Sequence, residues 1–182
     1  DWLGTFAAED LILPLDPDSN LSMFVPQTQE SVRYDNKNWA VPAYYGNHLM
    51  LFYNKNLVTS IPSNSDDWIT LAKSLTGSGQ YGLVYNVNEP FWLIPWLTGH
   101  GGWVFDEMLT PLMPALGTAE MTAALQFLHD LRYVEGILPL GTLDYGVADT
   151  MFKNGEAAMI INGDWALQSY LSHYGSDLGI AV

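Results

Sequence analysis

The sequence has 182 residues, 48% of them hydrophobic, which is enough for one domain with a substantial core. The 20 Asp and Glu against 6 Lys and Arg give a formal net charge of -14, which argues against a nucleic-acid partner because phosphate binding needs concentrated positive charge. The absence of cysteine excludes a disulfide scaffold and a zinc–thiolate site, and no stretch approaches the ~20 apolar residues of a membrane span.

The chain opens with helix and turn signals. The stretch "DWLGTFAAED" predicts a helix, and "LILPLDPDSN" closes it with two prolines and several turn-forming residues. Asp16, Asp18 and Asn20 imitate the start of a calcium-binding loop, which also requires Gly at its sixth position and Glu at its twelfth. Those positions hold Leu21 and Gln27, so the stretch predicts a turn and no metal site.

Strand signals begin after Arg33. The stretch "YDNKNWAVPAYY" predicts a turn at Asn36 and an extended segment to Pro42, and the apolar run "LMLFYNK" is typical of a buried strand. The segment "NSDDWITLAKSLTG" predicts a helix that is capped by Asp66 and stopped by Gly77. A strand at "YGLVYN" is expected to follow.

The second half of the chain alternates helices and strands. Pro90 is suited to the first turn of a helix that runs to about residue 98. A long helix is predicted over about 119–135, ended by Gly136, with one apolar stripe made of Met121, Leu125, Leu128 and Leu131. The stretch "VADTMFKNGEAAMIING" predicts a short helix, a glycine turn and a strand. A helix over about 164–173 and a strand at "DLGIAV" complete the series.

This alternation, with its short connections, predicts an α/β layered domain with helices on both faces of the sheet. Ligands of such sheets bind where strands end and helices begin. Residues 89–91 and 163–165 occupy two of these junctions. We therefore expect Phe91 and Trp165 to present a free ring face to a ligand, although a core position is the alternative for both.

The aromatic residues around the loop "GHGGW" predict packing instead. We expect Trp96, Trp103 and Phe105 to be mostly buried beneath or beside this loop. Its glycines lack the Lys-Ser/Thr of a phosphate-binding loop and follow a helix rather than precede one. The loop therefore predicts a tight turn that ends a helix.

The residues leave two other functional classes open. Glu89 and Asp164 could serve a glycosidase, with one carboxyl group as the acid and the other as nucleophile or base. In a purely structural or interaction domain, all of the aromatic residues would be core. The four histidines show no metal-binding spacing, and no Gly-x-Ser-x-Gly nucleophile elbow occurs.

Several motifs together carry a family likeness. The series "VRYDNKNWAVPAYYGNHLMLFYNKNL", "YNVNEPFWLIPWLTGHGGWVF", "ALQFLHDL", "FKNGEAAMIINGDWAL" and "DLGIAV" resembles, in this order, the middle of the extracellular solute-binding proteins of sugar ABC transporters. The maltose/maltodextrin-binding type is the most similar. The resemblance implies a non-enzymatic receptor that captures an oligosaccharide outside the cytoplasm and delivers it to membrane permease subunits, without a cofactor or a metal.

The resemblance also implies a domain organisation. Members of this family have a periplasmic-binding-protein fold of type II, with two α/β lobes that close around the ligand. By this likeness, residues 1–42 are a segment of the first lobe, and 43–182 are the hinge crossover, at Ala43 to Asn47, and most of the second lobe. We expect the rest of the first lobe, the C-terminal helices and the signal segment to lie outside this chain.

Site residues follow from the same resemblance. Phe91 and Trp165 match aromatic residues that stack on sugar rings, and Glu89 matches a carboxylate that bonds sugar hydroxyls. After the hinge proline, maltose binders carry an acidic ligand-binding residue, but this chain has "AYYGNH" with no acid. We expect Tyr45 or Asn47 to contact the saccharide instead.

Overall fold

The chain divides into two compact units, Asp1–Gly46 and Asn47–Val182. The structure is a computed structural model that describes residues 2–106 and 113–181. The boundary between the units falls inside the segment 43–47, for which the sequence predicts a hinge crossover. The hinge role itself stays a prediction.

The first unit contains two short helices and a hairpin. They are α1 (Leu3–Ala8), α2 (Pro26–Ser31), β1 (Arg33–Tyr34) and β2 (Lys37–Asn38). Strands β1 and β2 pair antiparallel, and the two residues between them, Asp35 and Asn36, have φ values of 48° and 58°. Two consecutive left-handed residues are typical of a tight hairpin turn, which confirms the predicted turn at Asn36.

The second unit is built on a four-stranded sheet. The described strands of the whole unit are β3 (Leu49–Asn54), β4 (Tyr81–Val84), β5 (Phe105–Asp106), β6 (Met113–Pro114), β7 (Ala157–Gly163) and β8 (Leu178–Ala181). The main sheet has the order β4-β7-β3-β8, with β4 parallel to β7 and β3 antiparallel to both of its neighbours. Strands β5 and β6 pair antiparallel in a separate sheet.

Helices fill the connections of the second unit. They are α3 (Ser65–Ser74), α4 (Ile94–Gly99), α5 (Ala119–Tyr133), α6 (Tyr145–Lys153) and α7 (Leu167–Tyr174), with 3-10 turns at Pro90–Leu93, Asp164–Ala166 and Gly175–Asp177. These elements match the predicted helices in order and approximate extent. Gly136, with a φ of 68°, follows α5 as the sequence predicts.

The burial of β7 shows that both faces of the sheet are covered. Ala157, Ala158, Met159 and Ile160 are consecutive and almost completely buried, although neighbouring side chains of a strand point to opposite faces. Phe52 of β3 and Phe152 of α6 each pack edge-on against Tyr170 of α7, with ring centroids about 5 Å apart. The α/β layered fold that the sequence predicts is therefore confirmed.

Two details of the predicted helices are wrong. The cap of α3 is Asn64, whose side chain accepts a hydrogen bond from the backbone NH of Asp67 at 2.9 Å, whereas Asp66 lies in the first helical turn. An amide oxygen two residues earlier is the nearer acceptor for the free NH groups of that turn. Leu125, expected in the core stripe of α5, is half-exposed because it borders an open surface depression.

Candidate functional site

The parallel pairing of β4 with β7 places two strand-to-helix junctions side by side. After β4 the chain passes through residues 85–89 into the 3-10 turn Pro90–Leu93. After β7 it enters the 3-10 turn Asp164–Ala166 directly. Because parallel neighbours have their carboxyl ends at the same edge, both turns start from one edge of the sheet.

Two exposed aromatic rings meet at this edge. The rings of Phe91 and Trp165 have centroids 6.4 Å apart and planes tilted by 40°. Their exposed fractions are 36% and 44%, so each keeps an accessible face, as the junction argument predicts. Trp92 is only 3% exposed and packs edge-on against both, at 6.0 Å from Phe91 and 6.2 Å from Trp165.

Tyr145 and Gly163 hold the Trp165 indole in place. The indole Nε1 donates a hydrogen bond to the Tyr145 hydroxyl at 3.1 Å. A Cβ atom added to Gly163 would lie 2.0 Å from the Trp165 ring, so the indole lies directly against this glycine. Tyr145 also packs against Trp92, with centroids 6.1 Å apart. We call the four residues Phe91, Trp92, Tyr145 and Trp165 the aromatic platform.

Sequence reasoning missed two members of the platform. Trp92 adjoins Phe91, and its burial depends on the direction of the 3-10 turn. Tyr145 starts α6, whose N-cap Asp144 accepts a hydrogen bond from the backbone NH of Val147. Only the stacking of α6 beside the edge of β7 shows that its first residue reaches Trp165, so the helix-start signal at Asp144 was the one available clue.

Glu89 stands at the start of the turn that carries Phe91. Its side chain is exposed, and it borders a depression of about 250 Å³ together with Asn86, Asn88, Trp92 and Leu125. Asn86 is buried, and its side-chain oxygen accepts a hydrogen bond from the backbone NH of Asn88 at 3.1 Å. This bond fixes the loop that presents the Glu89 carboxylate.

The two crossover candidates fall on opposite sides of the unit boundary. Tyr45 belongs to the first unit and is exposed. Asn47 opens the second unit, and its backbone NH donates to the carboxylate of Asp164, at 3.1 Å to Oδ2 and 3.3 Å to Oδ1. The second unit therefore carries Glu89 and Phe91 after β4, Trp165 after β7 and Asn47 before β3. Because β3 is antiparallel to β7, all of these segments lie at one edge of the sheet.

The predicted burial of the loop aromatics holds only for Trp96. Trp96 is partly buried against Trp68, Tyr85 and Phe127. Trp103 and Phe105 are 42% and 44% exposed, so the prediction is wrong for both. Phe105 lies in the two-residue strand β5, which pairs with β6 in a sheet separate from the main one.

Within residues 2–106 and 113–181, no group of three or more His, Cys, Asp or Glu could hold a metal ion. No helix in that part of the chain is long and apolar enough to cross a membrane.

Curated proteins similar to this chain are named as sugar-binding proteins. A maltotriose-binding protein of Pyrococcus abyssi is 27% identical over 100% of this chain and 39% of its own length. A galactooligosaccharide-binding protein of Bacillus subtilis is 24% identical over 99% of this chain and 44% of its own length. The chain thus spans less than half the length of these curated relatives.

Solved structures of sugar-binding proteins also match nearly the whole of this chain. The maltose/maltodextrin-binding domain of Bdellovibrio bacteriovorus bound to maltotriose superposes with a TM-score of 0.85 at 34% identity, over 98% of this chain and 48% of that one. A maltotriose-binding protein of Thermus thermophilus bound with maltotriose has a TM-score of 0.86 at 31% identity, over 99% and 49%. The family model described as bacterial extracellular solute-binding protein matches residues 1–182. The chain therefore belongs to the family of bacterial extracellular solute-binding proteins.

Proposed function

We propose that this chain is part of the substrate-binding component of an ABC importer, and that it captures an oligosaccharide of the maltodextrin class without converting it. The observation that carries the proposal is the pair of exposed rings, Phe91 and Trp165, backed by the buried Trp92. Sugar rings present apolar C–H faces, which bind to aromatic faces held at a fixed angle. The relatives named for maltotriose and maltodextrin binding support this ligand class, and a relative named for galactooligosaccharide binding supports an oligosaccharide ligand more generally.

The polar residues around the platform supply the second half of this recognition. Glu89 is exposed beside Phe91, and an ionised carboxylate is an acceptor for the hydroxyl edge of a sugar. Tyr45 and Asn47 lie next to the unit boundary, in the segment that the family resemblance identifies as the hinge crossover, and their polar side chains could bond sugar hydroxyls. Residues 43–47 would act as the hinge. The closed receptor would then deliver its ligand, outside the cytoplasm, to the membrane permease subunits.

The structure favours binding over hydrolysis. A glycosidase built on Glu89 and Asp164 needs both carboxyl groups to act on the substrate. Here the Asp164 carboxylate accepts two contacts from the backbone NH of Asn47. The curated relatives are named as binding proteins, and hydrolysis finds no support among them.

Calorimetric titration of the complete receptor with maltotriose tests the proposal. We expect saturable binding, and prolonged incubation should release no reducing sugar above background, because a receptor stabilises the ground state of its ligand rather than a transition state. Cellobiose serves as the control sugar with a different linkage. Turnover that disappears in Glu89→Gln would show that the protein is a hydrolase. Absence of binding to maltodextrins would overturn the ligand class, and absence of binding to galactooligosaccharides as well would overturn the oligosaccharide receptor.

A further inference from the structure

Asp164 links the start of the second unit to the aromatic platform. Leu49 of β3 pairs with Gly163 of β7 as the last register pair of that ladder. The backbone NH of Asp164 donates to the carbonyl of His48 at 2.9 Å, which continues the antiparallel pairing by one residue. The next residue along the chain is Trp165.

Beyond this backbone pair, the side chain of Asp164 makes the next contacts with the segment before β3. Its carboxylate accepts the backbone NH of Asn47, and Nδ1 of His48 lies 3.8 Å from its Oδ2. The Asp164 side chain is 20% exposed, so much of this contact is shielded from water. A hydrogen bond from a backbone NH to an ionised carboxylate is one of the stronger kinds in proteins.

The residue that donates this bond has a left-handed backbone. Asn47 has a φ of 77°, in a region that few non-glycine residues adopt and that asparagine adopts more readily than most. The unit boundary lies immediately before it. Asp164 thus stabilises the left-handed backbone of the residue through which the chain enters the second unit.

We propose that Asp164 is a positioning residue that fixes the left-handed backbone of Asn47, the first residue of the second unit, before ligand arrives. This inference rests on the proposed function. Without the carboxylate, the backbone at Asn47 must be ordered during binding. That ordering lowers the affinity of a receptor whose competent conformation is only partly populated.

Two variants of the complete receptor test the inference. Asp164→Ala removes the acceptor, and we expect its affinity for maltotriose to fall about tenfold in a calorimetric titration. Asp164→Asn loses the charge but keeps one acceptor oxygen of the same shape, and we expect a loss of about threefold or less. Equal affinities for wild type and Asp164→Ala would overturn the inference, as would equal losses in both variants.

Hydrogen exchange of the Asn47 amide gives an independent measurement in the absence of sugar. We expect this amide to exchange faster in Asp164→Ala than in wild type, and to stay protected in Asp164→Asn. Unchanged exchange in Asp164→Ala would contradict the positioning role even if affinity fell. If wild type binds no oligosaccharide, the proposed function fails. The exchange comparison still decides whether Asp164 fixes the backbone of Asn47.

Discussion

Two groups of aromatic residues in the second unit are exposed to the same extent but are held differently. Trp165, in the platform, is 44% exposed, and Trp103 and Phe105, near the glycine loop, are 42% and 44% exposed. Trp165 lies against Gly163, donates to Tyr145 and packs on Trp92. Phe105 lies in a two-residue strand outside the main sheet. Exposure alone therefore does not single out a candidate binding residue, and the proposed site rests on a fixed ring orientation at the edge of the main sheet.

The largest expected effect separates the two groups directly. Trp165→Ala should weaken oligosaccharide binding by ~2 kcal/mol or more, as expected for an aromatic anchor in a binding site. It should cost less than the ~3–5 kcal/mol of unfolding free energy that truncation of a core tryptophan costs. Titration calorimetry and thermal melts of the complete receptor measure both quantities.

Trp103→Ala is the matched control, because it removes an indole of similar exposure from the other group. We expect sugar affinity within ~0.5 kcal/mol of wild type. The comparison breaks if Trp103→Ala weakens binding as much as Trp165→Ala, since exposure would then be sufficient.

The second prediction concerns ring orientation without removal of a ring. Gly163→Ala would place a Cβ atom 2.0 Å from the Trp165 indole, so the ring must move away from its place in the platform. We expect affinity to fall about tenfold, or ~1.4 kcal/mol, in the same titration. Gly99→Ala is the control, since a Cβ atom there meets nothing within 4 Å. Normal binding by Gly163→Ala would show that the platform tolerates a displaced indole.

A smaller effect is expected from the hydroxyl that orients the indole. Tyr145→Phe keeps the ring that packs on Trp92 and removes the acceptor for Trp165 Nε1. The loss should be ~1 kcal/mol, the usual contribution of one hydrogen bond between neutral groups. Near-ultraviolet circular dichroism of the free receptor should change as well, because the indole loses its partner. A binding loss without any spectral change would indicate that Tyr145 contacts the sugar directly.

The smallest effect is a loss of stability at alkaline pH that comes from Tyr170, a tyrosine in the core. Burial raises the pKa of Tyr170 above the ordinary phenol value of about 10, although the hydrogen bond from Asn162 Nδ2 opposes this shift. A raised folded-state pKa contributes stability that is present below pH ~10 and is lost as pH rises further, because the unfolded chain ionises first. By pH ~10.5 the loss should be just under ~1 kcal/mol for this group.

Urea unfolding between pH 9 and pH ~10.5 measures this loss, and Tyr170→Phe should reduce it. Equal declines in wild type and Tyr170→Phe would contradict the assignment to Tyr170.

Sequence patterns predicted the order of elements and the two junctions, because apolar periodicity and turn residues are local signals. They did not predict Tyr145, whose contact with Trp165 spans 20 residues and depends on how α6 lies beside β7. They placed Trp103 in the core because large apolar residues prefer burial, but its stretch lies outside the main sheet. The α3 cap was assigned to Asp66 instead of Asn64 because both residue types cap helices and only backbone geometry separates them.

The fixed orientation of Trp165 also has a kinetic consequence. Because Gly163, Trp92 and Tyr145 hold the indole, the proposed site would need no rearrangement of this ring before a sugar binds. Initial capture should then proceed at similar rates for different oligosaccharides. Discrimination among them would arise in how long each one stays, because related complexes differ mainly in dissociation rate.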